Sequence, residues 1–390
     1  MRLLLSSILA AQTAVASVLP AAQLTARQEA SSARLLMSSS GNFFLADFAN
    51  DKLSLLPKKP ITGHASWVAV TKDAANDKTL LYALDENGSN TTIFSLDAKT
   101  GDLVKGTGKI GSNGVVHLEF NKDKTRMVGS SYGDGTMDIW KTENGGLELL
   151  KTVVSDSALG PNKTRQSSRH PHQAVLDPTG RFFAVNDLGT DSIVVLDSKD
   201  DSFAIVNTQL VPEPGCGPRH GSFFPVNSEK ASHYMVVCEM TNKVHVFKVS
   251  YDSSTIKMQP VQAISTFQDG GNHEHAAAGE LVVGPDNKSV YVSNRLDNSD
   301  GIAHFRINPG RCGKLLEFVG ATATGGTKPR MFSFSSDGKH VFVGNQAGEL
   351  GAVVLRRRED GTLEEKPVAS IKASEFGEPE FGPSFVQQIA

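Results

Sequence analysis

A strand–turn–strand unit recurs along this chain, and its recurrence constrains the fold more than any single motif. Residues 172–197 hold one copy. HQAVLD reads as a short strand, and Asp177-Pro178-Thr179-Gly180 as a type I turn with Pro at its second position and Gly at its fourth. FFAV (182–185) and IVVL (193–196) follow as two more strands, apolar on successive residues, so both faces of their sheet must be covered. The other first strands begin at His64 (HASWVAV), Gly114 (GVVHLEF), Arg219 (RHGSFF), Ala277 (AAGELVV) and Arg330 (RMFSFS), at spacings of 47 to 58 residues. The turns NKDKT, GPDNK and SSDGK rhyme with DPTGR. A four-stranded unit at this period is the signature of a β-propeller.

The chain ends set the blade count. Residues 34 to 56 offer three strands (RLLMSS, NFFLADF, KLSLLP) and lack a first one. The last residues, GPSFVQQI, echo GPRHGSFF and KPRMFSFS, each the start of a first strand. The fold expected is therefore all-β: a seven-bladed β-propeller of four-stranded blades over 34–390, its first blade closed by the N- and C-terminal strands. Such pairing hides edges that an open ring would expose. No window keeps a 3.6-residue apolar period over several turns, so almost no helix is expected.

The N-terminus departs from the repeat. Arg2 precedes an apolar run from Leu3 to Ala16, with Ala14-Val15-Ala16 as a small-residue cleavage site, which reads as a secretory signal peptide over 1–17. No later segment approaches about 20 apolar residues, so no membrane span is expected. Sequons at Asn87, Asn90, Asn162 and Asn287 fit a secreted, extracellular or cell-wall glycoprotein. A net charge of -3 argues against a nucleic-acid partner, which needs a basic surface.

Neighbouring strands in a blade are antiparallel, so the end of a second strand lies beside the start of the first. Residues starting first strands and ending second strands then converge at one mouth of the central channel. The starts supply His64, His170, His172, Arg219, His220 and Arg330; the ends supply Glu86, Tyr132, Asp187, Glu239, Arg295 and Asn345. Cys216 precedes a first strand and Cys238 ends its partner, so a disulfide between them is expected, with two buried thiols as the alternative. Cys312 falls in an outer turn.

At this point several stretches resemble the lactonase-type seven-bladed propellers, a family that includes bacterial 6-phosphogluconolactonase and fungal carboxy-cis,cis-muconate cyclases. They are YGDGT (132–136), HPHQAVLDPTGRFFAVNDLGTD (170–191), GCGPRHGSFFP (215–225), VVCEM (236–240), VYVSNR (290–295) and KPRMFSFSSDGKHVFVGNQ (328–346). The resemblance implies a cyclase-like catalytic set of His172, Arg219, Glu239 and Arg295. His170, His220, Tyr132, Asp187, Arg330 and Asn345 are expected to bind substrate around it.

The chemistry of the catalytic set is coherent on its own terms. Two guanidiniums can clamp a carboxylate and stabilise an enolate or tetrahedral oxyanion. An imidazole suits proton transfer, and Glu239 could orient it or act as base itself. The expected ligand is a small carboxylate or lactone, turned over without metal or cofactor in either the ring-closing or the ring-opening direction. Two other readings compete. His273-Glu274-His275 with Glu280, or the His170/His172 pair, could hold a metal. A secreted glycoprotein serving as adhesin or antigen could keep the propeller without catalysis. The Gly-rich stretches fall at blade turns and lack the strand-to-helix setting of a phosphate loop.

Overall fold

The computed structural model describes residues 32–73, 77–271, 273–297, 300–310, 314–377 and 382–390. The segment read as a signal peptide and Cys312 lie outside the described residues. Ser32–Ala390 form one compact unit.

Seven four-stranded antiparallel sheets make up this unit. Six of them run in simple chain order outward from an inner strand: Val68–Asp73, Val115–Phe120, Pro171–Leu176, Pro218–Phe224, Ala277–Val283 and Thr327–Phe334, in blades 2 to 7. Among the described residues the helical content is two short 3-10 turns, Glu143–Gly145 and Ala373–Phe376.

The first blade is the one that joins the chain ends. Its inner strand is Phe385–Gln388, which pairs antiparallel with Leu35 to Ser38 in register Leu35↔Gln388 through Ser38↔Phe385. The next strand, Ala33–Ala49, cannot be straight. The Arg34 guanidinium meets the Asp47 carboxylate at 2.7 Å although the two are 13 residues apart, a distance of about 40 Å in an extended strand. The chain turns back at Gly41, whose φ of 73° is open to glycine at no steric cost. The strand thus supplies the two middle layers of the blade, and Lys52–Leu55 with Lys59–His64 supplies the outer one.

Blades are held by their flat faces. In blade 4 the middle strands Phe182–Asp187 and Ser192–Asp197 are buried at every residue, whereas the outermost, Ala204–Leu210, is not. That gradient explains why the middle strands read as unbroken apolar runs. Phe182, Ala184 and Val195 of blade 4 pack with Tyr234, Val236 and Phe247 of blade 5 in one core cluster. The same arrangement closes the ring. Met37, Phe44 and Val386 of blade 1 pack against Phe342 and Val354 of blade 7, and Leu36, Phe43 and Phe385 against Leu81 and Phe94 of blade 2. Each such side chain, fully buried, contributes about 1.5–3 kcal/mol.

Candidate active site

The inner strands are interrupted where they meet the mouth. Pairing skips from Pro171 to Gln173 in blade 4, from Pro218 to Gly221 in blade 5 and from Pro329 to Met331 in blade 7. Blades 3 and 6 slip likewise, between Val115 and His117 and between Ala278 and Leu281. A bulge re-aims the extra residue's side chain, and a proline, having no N–H to give the ladder, is suited to start one. The residues so released are His172, Arg219 with His220, Arg330, Val116, and Gly279 with Glu280. Gly279 is required there, because a Cβ would lie 2.7 Å from Ser293 Oγ and 2.9 Å from Arg295 Nε.

These bulges and the ends of the second strands enclose a cavity of about 400 Å³. Its ionic lining is Arg165, Arg219, Arg295 and Arg330 with Glu86 and Glu239. Glu239 is the centre of the array. Its Oε2 accepts from Arg219 Nε at 2.9 Å and from Arg295 Nη2 at 3.0 Å, and its Oε1 accepts from Arg165. Burial alone would raise the pKa of this carboxyl, but Arg295, Arg219 and Arg165 together hold it down to about 2. Across the cavity Arg330 Nη2 donates to Glu86 Oε2 at 2.6 Å. Among the described lining residues four guanidiniums thus face two carboxylates, a surplus of two positive charges at the cavity wall. Burial and the neighbouring Arg295 lower the pKa of Arg219, which stays a cation. Its Nη1 is buried with no hydrogen-bond partner among the described residues.

His172 lines the same cavity, and its Nδ1 is likewise buried without a hydrogen-bond partner among the described residues. Burial, then the charges of Arg219, His220, Arg330 and Arg295, keep its pKa well below 6.5. The imidazole is neutral at physiological pH.

Of the ten side chains expected in the site, six line the cavity: Tyr132, His172, Arg219, Glu239, Arg295 and Arg330. The other four do not, each for a local reason. His170 stacks on Tyr132 with ring centroids 4.1 Å apart and bonds the Tyr132 carbonyl at 2.6 Å, so it positions Tyr132. Asp187 Oδ1 accepts from the amides of His170 and Gly189, tying the loop ends together. Asn345 spends its amide on Thr324 Oγ1 and the Leu350 carbonyl. His220, the residue after Arg219 in the same bulge, points the other way, into the channel beneath.

Arg165 was not anticipated. It lies in the 154–170 connection, which has no regular strand and is longer than the corresponding connections of the other blades. Gln166, fully buried, anchors that loop through Leu188 O and Asp191 Oδ1 at 2.9 and 2.7 Å. The sequence signal was loop length, since long connections in compact domains are uncommon and often functional.

Cys216 and Cys238 are joined in a disulfide with Cα atoms 5.0 Å apart. It clips the segment carrying Arg219 to the one carrying Glu239. Among the described residues one group has three metal-capable atoms within 4.8 Å of one another, Cys216, Cys238 and His245, and two of its members form that disulfide. His273 is engaged by Asp297 at 2.7 Å and Asp269 at 3.2 Å, which raise its pKa, and Glu280 lies in a different cluster, so the HEH stretch does not assemble as a ligand set. Asn87 lines the cavity rim and is exposed, as are Asn90 and Asn162. Asn287 instead faces the main chain of Val226, accepting from its N–H at 2.7 Å and donating to its carbonyl at 3.1 Å.

Comparison with known proteins places this geometry. Residues 16–376 match the family described as lactonase, 7-bladed beta-propeller, and the chain belongs to that family. A relative named "Probable 6-phosphogluconolactonase" from Arthroderma benhamiae is 33% identical over 251 residues, covering 62% of this chain and 61% of that protein's length. A 6-phosphogluconolactonase of Formosa agariphila is 25% identical over 297 residues, covering 74% and 81%. The solved structure of a periplasmic gluconolactonase from Pseudomonas aeruginosa superposes with a TM-score of 0.76 at 20% identity, over 92% of this chain and 99% of the other, which shows the shared fold. No helix among the described residues is long and apolar enough to cross a membrane.

Proposed function

We propose that this lactonase-family protein hydrolyses a small lactone carrying a carboxylate or phosphate. One observation carries the reading: a neutral His172, its Nδ1 without a hydrogen-bond partner among the described residues, stands in a cavity whose described lining has two more guanidiniums than carboxylates. That surplus suits an anionic substituent, and Arg is the residue type that grips such groups bidentately. The naming of two relatives as 6-phosphogluconolactonases supports ring opening as the direction.

In this mechanism His172 takes a proton from water as its oxygen attacks the ring carbonyl. The buried Arg219 Nη1 and Arg295 stabilise the tetrahedral oxyanion. The ring C–O bond then breaks, and His172 returns the proton to the departing alkoxide. Glu239 is a poor base at a pKa of about 2, with both oxygens engaged by guanidiniums. Its role is to position Arg219 and Arg295. The apolar N-terminal run and the exposed sequons support an extracellular site of action. The deciding experiment offers the purified protein neutral aldonolactones, phosphorylated aldonolactones and carboxymuconate, and follows ring opening and closure. Faster opening of the anionic lactones is expected; turnover of none of them would return the chain to a non-catalytic glycoprotein role.

A further inference from the structure

Below the catalytic cavity the channel narrows to a neck lined by His172, Arg219, His220 and Glu280. Beyond the neck lies a larger cavity of about 750 Å³ at the opposite ends of the inner strands, bounded by Trp67, Val282, Met331, Phe332, Ala390 and again Glu280. Glu280 therefore borders both the neck and the far cavity. It is a carboxyl 3% exposed, and the mechanism above gives it no task. Its Oε1 lies 2.9 Å from Nδ1 of His220, itself 3% exposed, across the boundary between blades 5 and 6. Its Oε2 has no hydrogen-bond partner among the described residues. Both residues come from bulges, so two neighbouring blades deform their inner strands to make this contact. With Nδ1 engaged by Glu280, His220 has Nε2 left for the neck. Its ring centroid is 5.1 Å from that of His172, with the planes crossed at 66°.

We propose that Glu280 and His220 form a proton relay joining His172 to the opposite mouth of the channel. The inference rests on the hydrolytic reading, because hydrolysis creates the need for it. Of the two protons of the attacking water, one ends on the ring alkoxide. The other stays on the new carboxylic acid, which ionises near neutral pH, so each turnover leaves one proton in the site. Upward, the route to solvent is filled by product and ringed by four guanidiniums. Downward, the proton passes from the nascent acid to His172 and then to Nε2 of His220, directly or through one water. The Nδ1 proton of His220 moves to Glu280, which releases it to the far cavity. No bond other than N–H and O–H changes.

The charged and titratable groups around the pair favour that direction. Arg219, Arg295 and Arg330 act on His220 from blades 5, 6 and 7, and its Coulombic coupling to His117 and His172 reaches blades 3 and 4. Burial, followed by Arg219 and Arg295, disfavours a lasting charge on His220, so a proton does not rest there. Burial raises Glu280 to about 8, against the pull of Arg219, the Leu281 amide and Arg295, which suits a group that must take up and give away a proton near neutral pH.

Glu280→Gln keeps shape and hydrogen bonding but cannot pass a proton. With wild type and variant compared at one pH in dilute buffer, the variant's kcat should fall about tenfold or more with KM unchanged. Added imidazole should restore it. Wild-type kcat in dilute buffer overturns the relay, and so does a loss that imidazole does not restore. Exchange of the His220 ring N–H with solvent, followed by NMR, tests the path without substrate. The relay predicts slower exchange in Glu280→Gln, whereas loosened packing would speed it; unchanged or faster exchange contradicts the proposal. If the wild type opens no lactone, the hydrolytic reading fails alone and the exchange measurement still decides the relay.

Discussion

Replacing Glu239 with Gln isolates the charge at the centre of the site. The side chain keeps its shape, but the carboxylate facing Arg219 at 2.9 Å and Arg295 at 3.0 Å is lost. The side chain is 8% exposed, so solvent screens little. A fall in pKa from 4.5 to about 2 corresponds to about 3 kcal/mol of folding free energy. Removing one partner of a buried ion pair costs about 3–5 kcal/mol by an independent route, because the remaining charges stay buried. Urea unfolding at pH 7 should therefore show Glu239→Gln less stable by about 3 kcal/mol at unchanged m. The sign with pH is fixed. The folded pKa lies below the unfolded one, so the carboxylate's contribution is complete above about pH 4.5 and is lost as pH falls toward 2. The gap between the two proteins should close over that interval. Equal stability at pH 7 would show that Glu239 does not carry the compensating charge assigned to it.

Three further outcomes follow from the same geometry. Deleting residues 382–390 removes the inner strand paired with Leu35 to Ser38 and should abolish cooperative thermal unfolding or cause aggregation; an unchanged melting curve counts against ring closure. Arg219→Lys keeps the charge and loses the planar fork and buried Nη1, so kcat/KM on an anionic lactone should fall at least tenfold, and a wild-type value would remove Arg219 from the chemistry. Because His172 is held well below 6.5, kcat/KM should rise with pH only in the acid range and lie flat from about pH 6.5 to 8; an acid limb centred at 6.5 or above contradicts a neutral, cation-surrounded imidazole.

Much of the fold was legible because blades repeat a short-range grammar. The turn DPTGR and its rhymes mark where first strands end, and GPSFVQQI announces its place by resembling GPRHGSFF. The convergence of strand starts and ends at one mouth followed from antiparallel pairing alone. What remained hidden was orientation within a bulge. Arg219 and His220 are adjacent and both polar, and strand alternation cannot say which faces substrate once two residues oppose one. Pro171, Pro218 and Pro329 were the visible marks of those bulges. Arg165 was hidden for another reason: it stands in a blade-to-blade connection lengthened beyond those of the other blades, so the repeat gives it no matching position. Glu280 read as a candidate metal ligand beside His275, but its partner is His220, 60 residues away in the preceding blade. His170 and Asp187 stand at the right ends of the right strands, yet their hydrogen bonds are used to hold Tyr132 and a loop.

The most direct test of the account is acid release from an anionic aldonolactone by wild type and His172→Ala, followed in a pH-stat. The cysteine clip, the arginine array and the fold should survive this change, because His172 Nδ1 makes no hydrogen bond to any described residue. Wild type should release one acid equivalent per lactone, and His172→Ala should do so at least about 100-fold more slowly in kcat, with the competing carboxylate product bound as tightly as before. Equal rates for the two proteins would contradict the placement of proton transfer at this mouth.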